Sequence, residues 1–241
     1  MANYSKALKA GLKMSSKPPV VDYKESFRSV HNWRVERDVA KELDEQIKKY
    51  DLQLSLDRLT AGNGDCCMIG LFQGLQREDV SPYMSEEVLK KARDYDTKWF
   101  RNAVSDFALA SHQKVKHLKD NYESYQASIE NPNEITLSWE ELWSPKGMRG
   151  NLWGNNYFLG AAALFLQINI KILDTKMQRP ANTQTMFNTF YGNLDQEPEA
   201  PPIFLGLRNG CHFQALIPVG TNYEQITDEE LRRGGVICVR Q

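Results

Sequence analysis

Apolar residues recur along the first half of the chain in patterns typical of helices and strands. Leucines alternate with polar residues over 52–56, which predicts a short strand. A loop with two glycines follows at 61–65, and the apolar positions of 67–75 then match one face of a buried helix. The same helical spacing predicts further helices over 35–47, 85–92, 97–109, 114–131 and 155–167.

The second half of the chain adds the patterns of strands. Isoleucines alternate over 168–173, which predicts one strand. Residues 177–202 have little periodicity and hold four of the ten prolines, so they are predicted to form a long loop. Two apolar runs at 202–207 and 211–217 flank an Asn-Gly turn, which indicates a β-hairpin. A capping-box pattern at 227–230 predicts one more short helix.

Composition and charge exclude several classes of protein. The 241 residues are 41% hydrophobic and 25% charged, with a net charge of −1, which gives no reason to expect binding to nucleic acid or to a membrane surface. The most apolar run, Tyr157–Leu166, is about half the ~20 residues that a membrane span needs, and no secretory signal is evident. The four cysteines do not form a disulfide pattern, so we expect free thiols and a reducing, cytoplasmic location.

The candidate chemistry lies where the glycine loop becomes a helix. Cys66 begins the apolar helix, and a helix N-terminus stabilises a thiolate. Gly62 and Gly64 allow a sharp backbone turn whose N–H groups can hold an oxyanion. A cysteine nucleophile also needs a histidine that is remote in sequence and near in space. Without such a partner, Cys66 would be only a small core residue, which is the interpretation we give to Cys67.

His212 is the best candidate for this partner among four histidines. It opens an apolar strand, whereas His31 lies in a polar segment and the Lys-rich stretch around His112 and His117 predicts solvated rings. A half-buried structural histidine is the alternative. A zinc site is disfavoured because adjacent ligand pairs are poor chelates. That site would use Cys66, Cys67, Cys211 and His212. Cys238 is expected to pack only. We therefore predict no metal and no cofactor, and the common nucleotide-binding and serine hydrolase motifs do not occur.

Four blocks of the sequence, within about residues 52–219, resemble the OTU (ovarian tumour domain) family of cysteine proteases. Asn63-Gly64-Asp65-Cys66 and the following apolar helix are similar to the family's D-G-N-C box. Residues 99–107 resemble a family helix that carries an arginine before apolar positions. Trp153-Gly154 with the helix and strand after it resembles the family's W-G block. The hairpin that ends in His212-Phe213 resembles the strands that deliver the catalytic histidine.

The resemblance implies an α+β, papain-like OTU fold in which helices flank a small mixed β-sheet. It places a catalytic domain at 31–220 with a helical arm inserted at about 108–150. A flexible lead at 1–30 and an extension at 221–241, packed on the same domain, complete the expected organisation. The implied function is a cysteine-dependent deubiquitinase that hydrolyses isopeptide bonds after the C-terminal glycine of ubiquitin or a ubiquitin-like modifier. Its expected partner is ubiquitin or polyubiquitin, in the cytoplasm or in the host-cell cytosol if the chain is a viral or bacterial effector.

The resemblance also assigns roles to the residues of the site. Cys66 would be the nucleophile and His212 the general base, and the loop that contains Gly64 and Asp65 would hold the oxyanion. Two departures leave the third member of the triad open: Asn63 stands where the family usually has Asp, and Gln214 stands where it often has Asn or Asp. These departures also keep an alternative function open, a catalytically weak or inactive ubiquitin-binding module.

Overall fold

The architecture is described from a computed structural model of the chain. The structure describes residues 47–54, 59–60, 65–129, 137–150, 154–174, 187–208, 212–222 and 236–237. Apart from Ile47, the helix predicted over 35–47 lies outside these residues, as does the helix predicted at 227–230. Within the described part of the chain, no helix is both long and apolar enough to cross a membrane.

A mixed five-stranded sheet forms the centre of the molecule. In sheet order its strands are β1 (Leu52–Leu54), β6 (His212–Pro218), β5 (Ile203–Arg208), β3 (Ile170–Asp174) and β4 (Phe187–Phe190). The β3 and β5 strands run parallel, and the other neighbours run antiparallel. The remaining two strands, β2 (Leu59–Thr60) and β7 (Val236–Ile237), pair with each other. The hairpin predicted from the Asn-Gly turn is confirmed, because Arg208 of β5 lies opposite His212 of β6.

Six α-helices accompany the sheet in the described residues: α1 (Cys66–Leu75), α2 (Glu86–Arg93), α3 (Thr97–Ala110), α4 (Lys116–Ala127), α5 (Trp139–Leu142) and α6 (Asn156–Leu166). Short 3-10 turns occur at Lys48–Tyr50 and Ser81–Tyr83. The α+β class and a mixed sheet with flanking helices are thus confirmed. The helices predicted over 67–75, 85–92, 97–109, 114–131 and 155–167 are all present, with ends that differ by a few residues.

The α1 helix is the central helix, and all ten of its residues are buried. Gly70 and Gly74 face the sheet at one point each. A Cβ atom on Gly70 would lie 3.0 Å from the Leu205 side chain, and one on Gly74 would lie 2.5 Å from Ile203. Both contacts are to strand β5. Because the glycines carry no side chains, the α1 backbone can approach this strand closely.

The α6 helix is held at both of its ends. The Asn155 side-chain oxygen accepts from the backbone N–H groups of Tyr157 and Phe158, each at 3.0 Å, which caps the first turn. Gln167 adopts a left-handed conformation, with φ of 54°, and ends the helix. Along its length, Gly160 leaves room for Leu118 of α4, which would lie 2.8 Å from an added Cβ.

The segment expected to form a helical arm packs on the domain in its described part. The Tyr122 hydroxyl of α4 donates to the Leu137 carbonyl at 2.8 Å. The Tyr122 ring meets the Trp139 and Tyr157 rings edge to face. Trp139 and Trp143 are both buried in the main core cluster. Several described residues of 108–150 therefore belong to the main core cluster: Ala108, Val115, Tyr122, Trp139, Leu142, Trp143 and Met148.

One prediction about the sheet is wrong. Residues 177–202 were expected to form one long loop, yet β4 lies within that range and pairs with β3 at the edge of the sheet. All four β4 residues are half-buried, so the alternation that marks a strand with one buried face is missing.

Candidate functional site

Cys66 is the first residue of α1, as the sequence predicted. The first bond of the helix runs from the Ile69 N–H to the Asp65 carbonyl at 3.0 Å. The Asp65 side chain makes no capping hydrogen bond to the helix. Cys66 therefore lies at the N-terminal end of the helix dipole, where a negative charge is favoured.

The Cys66 sulfur lies against the start of strand β6. The backbone N–H of Phe213 donates to Cys66 Sγ at 3.5 Å, although the two residues are 147 positions apart in the chain. His212 is the residue directly before Phe213, and it is half-buried. The fold therefore brings Cys66, on a helix, against the strand residue that follows His212. A hydrogen bond to sulfur also favours the charged thiolate.

Cys67 is a core residue, as its position on the apolar face predicted. Its side chain is 2% exposed and lies in the main core cluster. Gly154 packs directly on it, since a Cβ on this glycine would lie 2.7 Å from Cys67 Sγ. Burial, and then the nearby Cys66, raise the pKa of the Cys67 thiol well above its usual value. Two adjacent cysteines therefore have different environments, and only Cys66 faces His212's strand through a hydrogen bond to its sulfur.

Gln214 is buried and holds strand β2. Its side-chain oxygen accepts the backbone N–H of Thr60 at 3.0 Å. The Thr60 hydroxyl in turn donates to the Gln73 side-chain oxygen of α1 at 3.1 Å. This network joins β6, β2 and α1 at the point where the chain enters the loop before Cys66. The expected hydrogen bond from the His212 ring to Gln214 remains a prediction. Asn63 and Gly64, the other loop candidates, lie outside the described residues.

An ion pair lies at the residue before Cys66. Arg101 of α3 donates to Asp65 Oδ1 from Nη2 at 2.6 Å and from Nε at 3.3 Å. The Thr97 hydroxyl donates to the other carboxylate oxygen at 3.1 Å. A third bond runs from Arg101 Nη1 to the Met148 carbonyl at 3.1 Å. The Arg101 side chain is 6% exposed and that of Asp65 is 34% exposed.

Sequence reasoning did not single out Arg101 or Thr60 as part of the site. Arg101 carries a detectable signal, because it falls on the stripe of α3 that also contains the buried Ser105 and Ala108. A charge at such a position needs a partner, which the sequence alone does not name. Thr60 carries no signal, because the partners of its backbone N–H and of its hydroxyl come from distant parts of the chain.

The described residues include no group of three or more His, Cys, Asp or Glu side chains that could hold a metal ion. Cys211, a member of the zinc site weighed above, is outside those residues. Cys66 and Cys67 are both free cysteines. The site therefore holds a free thiol at a helix N-terminus, with a backbone N–H donated to its sulfur.

The sequence matches no protein-family model and no curated protein. The solved structures that are similar to the chain include the following two. The structure of the OTUD1 OTU domain has 14% sequence identity and a TM-score of 0.42, and the match covers 78% of this chain and 99% of that chain. A complex of OTUB1 with ubiquitin aldehyde and UBCH5B~Ub has 14% identity and a TM-score of 0.34, and covers 90% of this chain and 72% of that chain.

Proposed function

We propose that the chain is a cysteine-dependent deubiquitinase with an OTU fold. The reaction is hydrolysis of the isopeptide bond after the C-terminal glycine of ubiquitin or a ubiquitin-like modifier. The observation that carries the proposal is the contact between Cys66 Sγ and the N–H of Phe213, because it brings a thiol at a helix N-terminus next to His212. The resemblance of residues 63–66 to the D-G-N-C box supports the choice of substrate.

The first half of the reaction transfers the modifier to the enzyme. The His212 imidazole takes the Cys66 proton, and the thiolate attacks the carbonyl carbon of the terminal glycine. Backbone N–H groups of the loop at Gly64 and Asp65 and of the first turn of α1 hold the resulting oxyanion. The intermediate then collapses and breaks the C–N bond. The leaving lysine amine takes its proton from His212, and the modifier remains on Cys66 as a thioester.

The second half restores the enzyme. His212 takes a proton from a water molecule, which attacks the thioester carbonyl and forms a second tetrahedral intermediate at the same oxyanion site. Breaking the C–S bond releases the modifier with a free C-terminal carboxylate, and the sulfur leaves as the thiolate. No oxidant, reductant or cofactor is needed. The third member of the triad is proposed to be Gln214 or Asn63, either of which has an amide oxygen for the second ring nitrogen of His212.

A ubiquitin whose C-terminal glycine carries an alkyne electrophile tests the proposal directly. Wild-type protein should form a covalent adduct whose mass equals the sum of the two partners, and peptide mapping should place it on Cys66. The Cys67→Ala variant is the matched control and should react as the wild type does, whereas Cys66→Ala should not react. An adduct that forms equally on Cys66→Ala, or a wild type that neither binds nor reacts, would reject the assignment.

The alternative is a ubiquitin-binding module without activity. One observation favours it: the oxygen of Gln214 already accepts the Thr60 N–H, and this side chain is neutral where a carboxylate would stabilise an imidazolium. The same probe separates the two functions. Saturable binding of unmodified ubiquitin, with no adduct formed at Cys66 after hours at neutral pH, would establish the module and exclude the hydrolase.

A further inference from the structure

The charge nearest to Cys66 along the chain is unfavourable for its proposed chemistry. Asp65 directly precedes Cys66, and a carboxylate beside a thiol disfavours the thiolate and repels an oxyanion. The carboxylate is not turned to the helix as a cap. It is bound instead by the buried guanidinium of Arg101, at 2.6 Å and 3.3 Å.

The charge of Arg101 affects the first residues of α1 and not Asp65 alone. Its third hydrogen bond, to the Met148 carbonyl, fixes the guanidinium in the core between α3 and the 143–150 turn. The charges of Arg101 and Asp65 both influence the thiols at the start of α1. At the neighbouring Cys67, where burial and Cys66 raise the thiol pKa most, Arg101 lowers that pKa and Asp65 raises it.

We propose that Arg101 is a positioning residue for the nucleophile. It anchors the Asp65 carboxylate to helix α3 and offsets its negative charge beside the thiolate of Cys66. This inference rests on the proposed role of Cys66. It goes beyond that role, because it assigns to a residue 36 positions away from Asp65 the control of the charge at the nucleophile.

The titratable groups around Cys66 come from three elements in the described residues. Asp65 precedes Cys66 at the start of α1 and Cys67 follows it, Arg101 of α3 binds the Asp65 carboxylate, and His212 of β6 directly precedes Phe213, whose N–H contacts Cys66 Sγ. Cys67 is buried and its pKa is raised, so it stays neutral near neutral pH. The charge at the thiolate is therefore set by His212 and by the balance between Asp65 and Arg101.

Alkylation by iodoacetamide measures this balance, because only the thiolate reacts and no ubiquitin is required. The measurement follows the rate at Cys66 from pH 4 to pH 9, in a Cys67→Ala background, by the mass of the peptide that contains Cys66. Arg101→Gln leaves Asp65 uncompensated and should move the midpoint to higher pH. Asp65→Asn leaves Arg101 uncompensated and should move the midpoint to lower pH. At a pH below the wild-type midpoint, the rate should fall in the first variant and rise in the second, each by roughly three- to tenfold.

Three further variants separate charge from structure. Thr97→Val removes a hydrogen bond to the same carboxylate without any change of charge, and it should leave the midpoint in place. Arg101→Lys keeps the charge and should keep the midpoint near the wild-type value. The double variant Asp65→Asn/Arg101→Gln has neither charge and should return toward the wild-type midpoint. If Arg101→Gln does not give a cooperative unfolding transition, the comparison of Asp65→Asn with Thr97→Val decides alone.

The result that overturns the inference is a midpoint that moves in the same direction in both charge variants, or in neither. A merely structural ion pair predicts that outcome, since both variants would loosen the same contact. Failure of the proposed function looks different: the ubiquitin probe would leave Cys66 unmodified, while the opposite shifts in alkylation would still be present.

Discussion

Replacing Gln214 by methionine tests the hydrogen bond that ties strand β6 to strand β2. Methionine has nearly the length of glutamine, so the side chain still fills its place in the core. It removes the amide group, whose oxygen accepts the Thr60 N–H at 3.0 Å. Thr60 is 1% exposed and Gln214 is 2% exposed, so water does not replace that oxygen without opening the structure.

The magnitude follows from the cost of a buried donor left without an acceptor. That cost is about 1–3 kcal/mol, and the retained side-chain volume keeps any cavity contribution small. A central loss of about 2 kcal/mol corresponds to a fall in Tm of roughly 4–8 °C for a chain of this length. Because Thr60 directly precedes the loop that leads to Cys66, we also expect kcat/KM to fall by about three- to thirtyfold, or roughly 0.7–2 kcal/mol.

Urea unfolding followed by circular dichroism measures the change in free energy, and cleavage of a ubiquitin chain measures the change in kcat/KM. Gln53→Met is the matched control, since it makes the same substitution at a half-buried position of the neighbouring strand β1 and should cost within about 0.5 kcal/mol. The reasoning is refuted if Gln214→Met and Gln53→Met have the same unfolding midpoint. A stability loss with unchanged kinetics would instead show that Gln214 tethers β2 without orienting His212.

Three further predictions concern the thiols and the histidines. Cys66→Ala should abolish chain cleavage and leave the fold intact, whereas Cys67→Ala should keep most activity and lose some stability; wild-type cleavage by Cys66→Ala would contradict this. His212→Ala should lower kcat at least about a hundredfold. His112 is exposed, so His112→Ala should leave kcat unchanged, and equal losses in the two variants would remove the evidence for a base. Burial lowers the pKa of His117 below 6.5, so stability should fall as the pH drops below 6.5, and His117→Gln should flatten that part of a pH series of urea midpoints; an unchanged slope would contradict it.

The last of these predictions corrects the sequence analysis. The Lys-rich stretch predicted a solvated His117, but this residue is partly buried. Charged residues along a helical segment predict its exposed face well. They do not reveal which residue of that helix points the other way when the apolar stripe is short.

The sequence predicts an element well where a periodic run of apolar residues ends at a clear turn or cap signal. The α1 and α6 helices and the β5–β6 hairpin each combine a periodic apolar run with a clear signal at one end: a glycine loop, an Asn cap or an Asn-Gly turn. The β2 and β7 strands have two residues each, too short for any period to show. Their pairing depends on contacts between distant segments.

The candidate site was predictable in part for a similar reason. Cys66 and His212 each stand at a boundary between a turn and an apolar element, and such boundaries are visible in a sequence. The partner of Asp65 is not visible, because the ion pair with Arg101 depends on how α1 and α3 pack. The environment of Cys67 depends likewise on Gly154, which approaches it from a remote part of the chain.

The position of β6 in the sheet has a consequence for the synthesis of the protein. This strand lies between β1 and β5, and its Phe213 reaches a sulfur 147 residues earlier in the chain. A ribosome that adds 5–20 residues per second needs about 7–30 s to make that distance. During this time the α1 helix has emerged without the β5–β6 hairpin on which it packs. A nascent chain therefore carries the proposed nucleophile before its proposed base has been made, and the side of α1 that packs on the hairpin stays uncovered until the hairpin is complete.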